Sequence, residues 1–172
     1  MRLKPFKFNL ENKIVPMAQS ILVSNGMHSP MLFTYDKDGK EKVSDLFSIT
    51  DKEIIYKILG SFLEESNSVA FVLITEAWSK TVRDGEDKEE LKDVLEGTSR
   101  IRDLPNKEEV LAFQWNFRLS DVRNSGSISY PFKNESGTIL IDYDNPTVID
   151  SGMDAELYSR TSNLLASCAG KK

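Results

Sequence analysis

Glu76 is the residue whose surroundings most call for a chemical explanation. It follows Val69-Ala70-Phe71-Val72-Leu73-Ile74-Thr75, seven residues that are apolar or β-branched. An ionised carboxylate beside an apolar interior is costly unless a partner or a hydrogen bond compensates it. In a regular strand Val72, Ile74, Glu76 and Trp78 point to one face, which sets an indole next to the acid at the strand end. Arg118, on the polar face of a second long strand, is the expected counter-charge. Two roles fit Glu76. One is a member of a structural ion pair or an exposed strand-end acid, and the other is an acceptor in a ligand pocket at the end of the sheet, with Trp78 as its apolar wall. Burial would raise its pKa and a guanidinium would lower it, so the sequence leaves the direction open.

His28 is the single histidine and sits in Gly26-Met27-His28-Ser29-Pro30, a turn between a helix and a strand. It is the available general base, yet nothing in the sequence names a group to orient it, and it reads as a surface or loop histidine. Cys168, the single cysteine, falls on the apolar side of a C-terminal helical pattern and reads as a small buried hydrophobe. One Cys and one His supply no zinc-type cluster and no intrachain disulfide. The patterns G-x-G-x-x-G, G-x-x-x-x-G-K-[ST] and H-E-x-x-H are missing. No metal and no cofactor is expected. Asp36-Lys37-Asp38-Gly39 has the look of a calcium loop, but the twelfth position is Phe47 where a bidentate Glu belongs, so it reads as a turn. Asp142, Asp144, Asp150 and Asp154 read as a solvated acidic edge rather than a cation site.

The elements that must position these groups follow from periodicity. Leu10, Ile14, Met17, Ala18, Ile21 and Leu22 recur at helical spacing. Pro16 predicts that the helix begins near Val15, with the proline in its first turn, and Asn25-Gly26 predicts its end. Met31–Tyr35 and Lys40–Phe47 flank the Asp-Gly turn as a hairpin. Thr50-Asp51-Lys52-Glu53 is a capping box opening a helix with Ile54, Ile55, Ile58, Leu59, Phe62 and Leu63 on one side. Val69–Thr75 reads as a central strand covered on both faces. Residues 80–109 are rich in charge and turn formers and read as a solvated flap, in which Arg100 and Arg102 are a weak anion grip. Val110–Ser120 alternates strictly, with Leu111, Phe113, Trp115, Phe117 and Leu119 on an apolar face and a mostly polar face opposite. Ser127–Phe132 and Thr138–Tyr143 predict a further hairpin about the turn 133–137. Thr147-Val148-Ile149 adds a short strand, and Ser151-Gly152-Met153-Asp154 opens a terminal helix. The order α-β-β-α-β-β-β-β-α predicts an α+β fold over residues 1–172 as one domain, a mainly antiparallel sheet with helices packed on it.

Glu76-Ala77-Trp78 closing an apolar strand, then Leu104-Pro105-Asn106-Lys107-Glu108-Glu109-Val110-Leu111 leading into the next, resembles a group of small uncharacterised bacterial and phage proteins. In that group a strand ending in Glu-Ala-Trp is followed by a Pro-containing connection and an acidic approach to the partner strand. Lys107 stands where the group carries arginine. The resemblance covers the middle third of the chain and implies membership without a reaction.

Composition narrows the function classes. The 172 residues carry 22 Lys+Arg against 27 Asp+Glu, a net charge of −5. That balance argues against a large phosphate-backbone footprint, and hence against nucleic acid. No apolar run approaches the ~20 residues that span a bilayer, and the basic start lacks the apolar core of a signal peptide, so the expected location is the cytoplasm. The expected function is a non-catalytic binding or assembly module, as a homo-oligomer or with a protein partner. The alternative is a small hydrolase-like enzyme using Glu76, with His28 across one pocket.

Overall fold

The computed structural model describes residues 1–46, 59, 63, 67–79, 103–120 and 122–151. The predicted helix over 50–66, the terminal helix from residue 152, the flap up to residue 102, and with them Cys168, Asp154, Arg100 and Arg102, lie outside the described residues, save that Leu59 and Leu63 are helical and buried; Ser151, expected to open the terminal helix, closes a strand instead.

α2 (Val15–Asn25) begins where the sequence predicts, but the helical run already starts at Leu3, through α1 (Leu3–Asn9) and a π-helical turn (Leu10–Ile14). Pro16 sits in the first turn of α2, as predicted, yet inside a longer helical run. Its ring would collide with the carbonyl four residues back and offers that carbonyl no N–H. The wider π turn sits just ahead of it and carries the chain past that defect. The end is as expected: Gly26 adopts φ 74° and its N–H bonds the Leu22 carbonyl at 2.9 Å.

Seven strands follow: β1 (Met31–Tyr35), β2 (Glu41–Asp45), β3 (Ala70–Ser79), β4 (Glu108–Leu119), β5 (Val122–Glu135), β6 (Thr138–Ile141) and β7 (Thr147–Ser151). They form one sheet in the order β2-β1-β3-β4-β5-β6, and β7 pairs with β5 beyond the end of β6. Every pairing is antiparallel. An α+β fold built on a mainly antiparallel sheet with an N-terminal helix is thus present.

The turns show why. Between β1 and β2, Gly39 takes φ 84°, and the Asp36 carboxylate accepts the N–H groups of Asp38 and Lys40 at 2.9 Å each. That carboxylate serves its own loop, as a turn requires. Ser136 and Gly137, at φ 54° and 90°, make the two-residue β5–β6 turn, tighter than the five residues expected. The β4–β5 hairpin closes at Leu119↔Val122 with Ser120 at φ 54°, so β5 begins five residues before the predicted Ser127.

One face of the sheet receives Phe33, Tyr35, Val72, Ile74, Leu111, Phe113, Trp115, Phe117 and Phe132, which pack with Phe6, Leu10, Ile14, Val15, Ala18 and Leu22 of the helix. Phe6 is at the centre, with ring centroids 5.6 Å from both Tyr35 and Phe117. The sheet curls around the helix. Lys13 and Asn9 bond Glu41 on β2, at 2.8 and 3.2 Å, while α2 lies against β6 at the other edge. Five strand spacings of ~4.8 Å exceed the helix diameter of ~10 Å, so a flat sheet could not touch it on both sides.

The opposite face is also covered along β3, where Ala70–Ile74 are all buried, as the apolar run predicts. On β4 the mostly polar face is largely covered too, since Ala112 and Asn116 are buried and the Gln114 side-chain carbonyl oxygen is enclosed.

Trp115 stands opposite Gly126, and its indole lies across the β5 backbone while its Nε1–H donates to Asn124 Oδ1 at 2.9 Å. A β-carbon at position 126 would overlap the indole and the Ile149 carbonyl. Gly126→Ala should cost about 1–3 kcal/mol in urea unfolding, the range for overpacking a core. A loss below about 0.5 kcal/mol, the level of an indifferent surface change, would show that the indole does not need the gap.

Candidate functional site

β3 continues to Ser79, so Glu76 lies inside the strand, opposite Leu111, rather than at its end. Glu76 shares the helix-covered face with Val72, Ile74 and Trp78. It is half-buried there, and its Oε1 accepts a hydrogen bond from the backbone N–H of His28. The sequence-predicted pair of Glu76 and His28 is therefore brought together, through the histidine's main chain. The carboxylate holds the residue at which the chain leaves α2 and turns into β1.

His28 is not a surface residue: it is 3 % exposed. The Gly26 reversal tucks the ring inward, and Pro30, whose carbonyl accepts the Leu46 N–H at 2.8 Å, secures the following turn. Neither ring nitrogen has a hydrogen-bond partner among the described residues. Burial lowers the imidazole pKa below its ordinary value, against the opposing pull of the Ser29 backbone and the Asp45 carboxylate. A neutral imidazole is a chemically competent base, but a relay needs a partner that orients it, and Glu76 spends Oε1 on the amide instead.

Trp78 is 40 % exposed, two residues on from Glu76, and the Lys107 ammonium lies 5.3 Å from its ring centroid. Trp78 pairs with Glu109 across the β3–β4 register. The stretch Leu104–Leu111 singled out beside Glu-Ala-Trp thus returns to that tryptophan. Arg118 does not join the group. It lies seven residues along β4 from the position opposite Glu76, about 23 Å at ~3.3 Å per residue, and on the opposite face. The expected Glu76–Arg118 ion pair is excluded by register, and Arg118 stands across from Arg123 on β5.

A second polar cluster was not anticipated. Tyr35 Oη donates to Glu41 Oε2 at 2.8 Å, Asn9 Nδ2 donates to Tyr35 Oη at 2.8 Å, and Lys13 Nζ reaches Glu41 Oε1 at 2.8 Å. Burial and the Glu41 carboxylate push the Tyr35 pKa up. Burial also pushes Glu41 up, but the bonds from Lys13, Tyr35 and Asn9 outweigh it and hold Glu41 low. Every group has its partner, so the cluster clamps the helix to β2. The acidic edge is likewise structural at Asp142, whose carboxylate accepts from the backbone N–H groups of Asp144 and Asn145 and from the Asn145 side chain. Among the described residues no group of His, Cys, Asp and Glu is arranged to hold a metal ion. Nor is any helix among them long and apolar enough to cross a membrane.

Sequence reasoning also missed two surface features of β5 and its edge. Ser125, Ser127 and Ser129 line the face away from the helix, a period-two signal obscured by their low β-propensity. Leu140, Tyr143, Val148 and Ile149 lie exposed along the β6–β7 edge.

Compared with known proteins, the chain matches no family model, no curated protein and no solved structure.

The buried imidazole makes stability depend on pH. The unfolded chain binds a proton at His28 near pH 6.5, whereas the folded chain resists it. Stability is full above that value and falls as pH drops towards the lowered folded pKa. His28→Gln should flatten this slope in urea titrations between about pH 7 and pH 5. Parallel slopes for both proteins would mean that the ring is not held neutral.

Proposed function

We propose that the chain is a non-catalytic binding or assembly module whose contact surface is the β6–β7 edge of the sheet. One observation carries this reading: four large apolar side chains are exposed along this border, Leu140 at 49 %, Tyr143 at 56 %, Val148 at 56 % and Ile149 at 50 %, and the last two are neighbours on β7. Phe8, Val23, Met27, Val43, Trp78 and Val122 are exposed too, but they are spread singly over the helix, its cap, β2, β3 and the start of β5. Single exposed apolar residues need no explanation, whereas Val148 and Ile149 stand side by side on a border strand, where a further extended chain would meet both. The β7 backbone adds to this, because among the described residues it pairs only with β5. A strand with one unpaired side is a template for another extended chain.

The hydrolase reading has less support. It needs Glu76 and the His28 ring to act on one reacting atom, and the carboxylate is engaged by the His28 main chain. Arg118 cannot assist from the far end of β4. Membership of the Glu-Ala-Trp group of bacterial and phage proteins, and a place in the cytoplasm, belong to the same proposal and add no reaction to it.

The probe is anilinonaphthalene sulfonate, which fluoresces on exposed apolar surface. The native chain should bind it, and the double substitution Val148→Ser with Ile149→Ser should cut the signal by about half without lowering Tm, as expected for losing an exposed patch. A native chain that binds no dye, or dye binding indifferent to these two positions, would refute the edge as the contact surface.

A further inference from the structure

We propose that the corner between α2 and β1 is a proton-operated latch: when the His28 ring takes a proton it leaves the interior, its amide comes away from Glu76, and the corner opens while the sheet stays folded. The connection 26–30 has one buried side chain, His28, set between an exposed Met27 and a half-buried Ser29. The chain is pinned on either side of it, by the Gly26 N–H on the Leu22 carbonyl and by the Leu46 N–H on the Pro30 carbonyl. Between those pins the Glu76 carboxylate accepts the His28 amide, and Ser29 Oγ donates to Asp45 Oδ1 at 3.3 Å. A segment with so few buried groups is where a fold opens locally before it opens as a whole.

Neither nitrogen of the buried ring has a hydrogen-bond partner among the described residues. An imidazolium carries a charge and two N–H donors, and leaving them unmet inside the protein is far costlier than enclosing the neutral ring. Among the described residues the charged groups set against His28 are Asp45 of β2, which acts on the ring through its charge, and Glu76 of β3, which accepts the main-chain N–H. α2 carries no charged residue. The titratable side chain of β1, Tyr35, lies at the far end of that strand, where its hydroxyl bonds Glu41. The Asp45 residue is exposed, so a ring turned outward exchanges an apolar enclosure for water and a nearby carboxylate. The charged form gains most from that exchange. Two positions of one side chain, biased by one proton, are the two states of a switch. In the open state the Glu76 carboxylate has given up the amide that holds the corner to β3.

The test is amide hydrogen exchange of the full chain between about pH 7.5 and about pH 5.5, each rate expressed as protection relative to the intrinsic rate at that pH. Protection of the His28 amide should fall about tenfold per pH unit below the ordinary histidine value of 6.5, because the open state binds the proton and the closed state resists it. At every pH it should stay at least about a hundredfold below that of the amides pairing β3 with β4, which open only with the whole fold. His28→Gln should remove the slope. Glu76→Gln should keep it, because the carboxamide oxygen still accepts the bond and the histidine still titrates. Should His28→Gln fail to fold, the native ring decides. The chain has one histidine, so its imidazole signals are unambiguous, and they should titrate below 6.5 while the β3–β4 resonances stay in place. His28 protection equal to that of the β3–β4 amides would overturn the latch, since the corner would then open only by global unfolding. So would a slope that survives His28→Gln, a slope lost in Glu76→Gln alone, or a ring that titrates at its ordinary value.

Discussion

The hydrogen bond from the His28 backbone to the Glu76 carboxylate is the contact on which the rest of the arrangement depends. It ties the point where the helix ends to the middle of the sheet. A hydrogen bond to a charged acceptor is worth about 1.5–3 kcal/mol, and leaving a half-buried amide without one costs a similar amount. It also fixes where α2 gives way to β1. With that corner held, the helix lies across the sheet so that Phe6, Leu10, Ile14 and Leu22 meet the aromatic face. A carboxylate at the rim of an oily interior is explained by the amide it receives.

Curvature follows from the same packing. The sheet wraps the helix from Glu41 on β2 to β6, and the Asn9–Tyr35–Glu41–Lys13 cluster holds one flank. At the other flank the Trp115 indole crosses β5 where Gly126 leaves room. Large aromatic rings and a missing side chain are complementary here: the strand is thin where the ring is broad. β5 is long enough to serve β6 with one half and β7 with the other, and this places an apolar strand at the border.

Much of this was legible where one residue type has one physical use. Gly26, Gly39 and Gly137 mark turns because they adopt positive φ at no cost, and the alternation over Leu111–Leu119 marks a strand. The seven residues before Glu76 forecast burial on both faces of β3 correctly. Other features were hidden because they depend on remote partners. Pro16 marks the first turn of α2 as expected, yet the helical run extends back through a π turn to Leu3, where Phe6 docks on the sheet. The serine-rich start of β5 lacks strand propensity and is a strand through its pairing with β4. At the candidate site, the acid and the histidine meet through the histidine's main chain, and the arginine lies far along β4 on the other face. Register decides which residues meet, and spacing does not reveal the register of two strands as far apart in sequence as β3 and β4.

Function in this account separates into two regions. The interior polar groups, Glu76 and Glu41, are engaged in holding helix to sheet, and under the proposed function the exposed apolar residues of the β6–β7 border would supply the contact surface. The central claim is that Glu76 is an acceptor for a main-chain amide. The most direct measurement is the His28 amide resonance in a proton–nitrogen correlation spectrum, with its rate of hydrogen exchange. The account predicts a signal well downfield of its random-coil position and slow exchange, both lost in Glu76→Ala. An amide that exchanges freely and is unmoved by Glu76→Ala would contradict it.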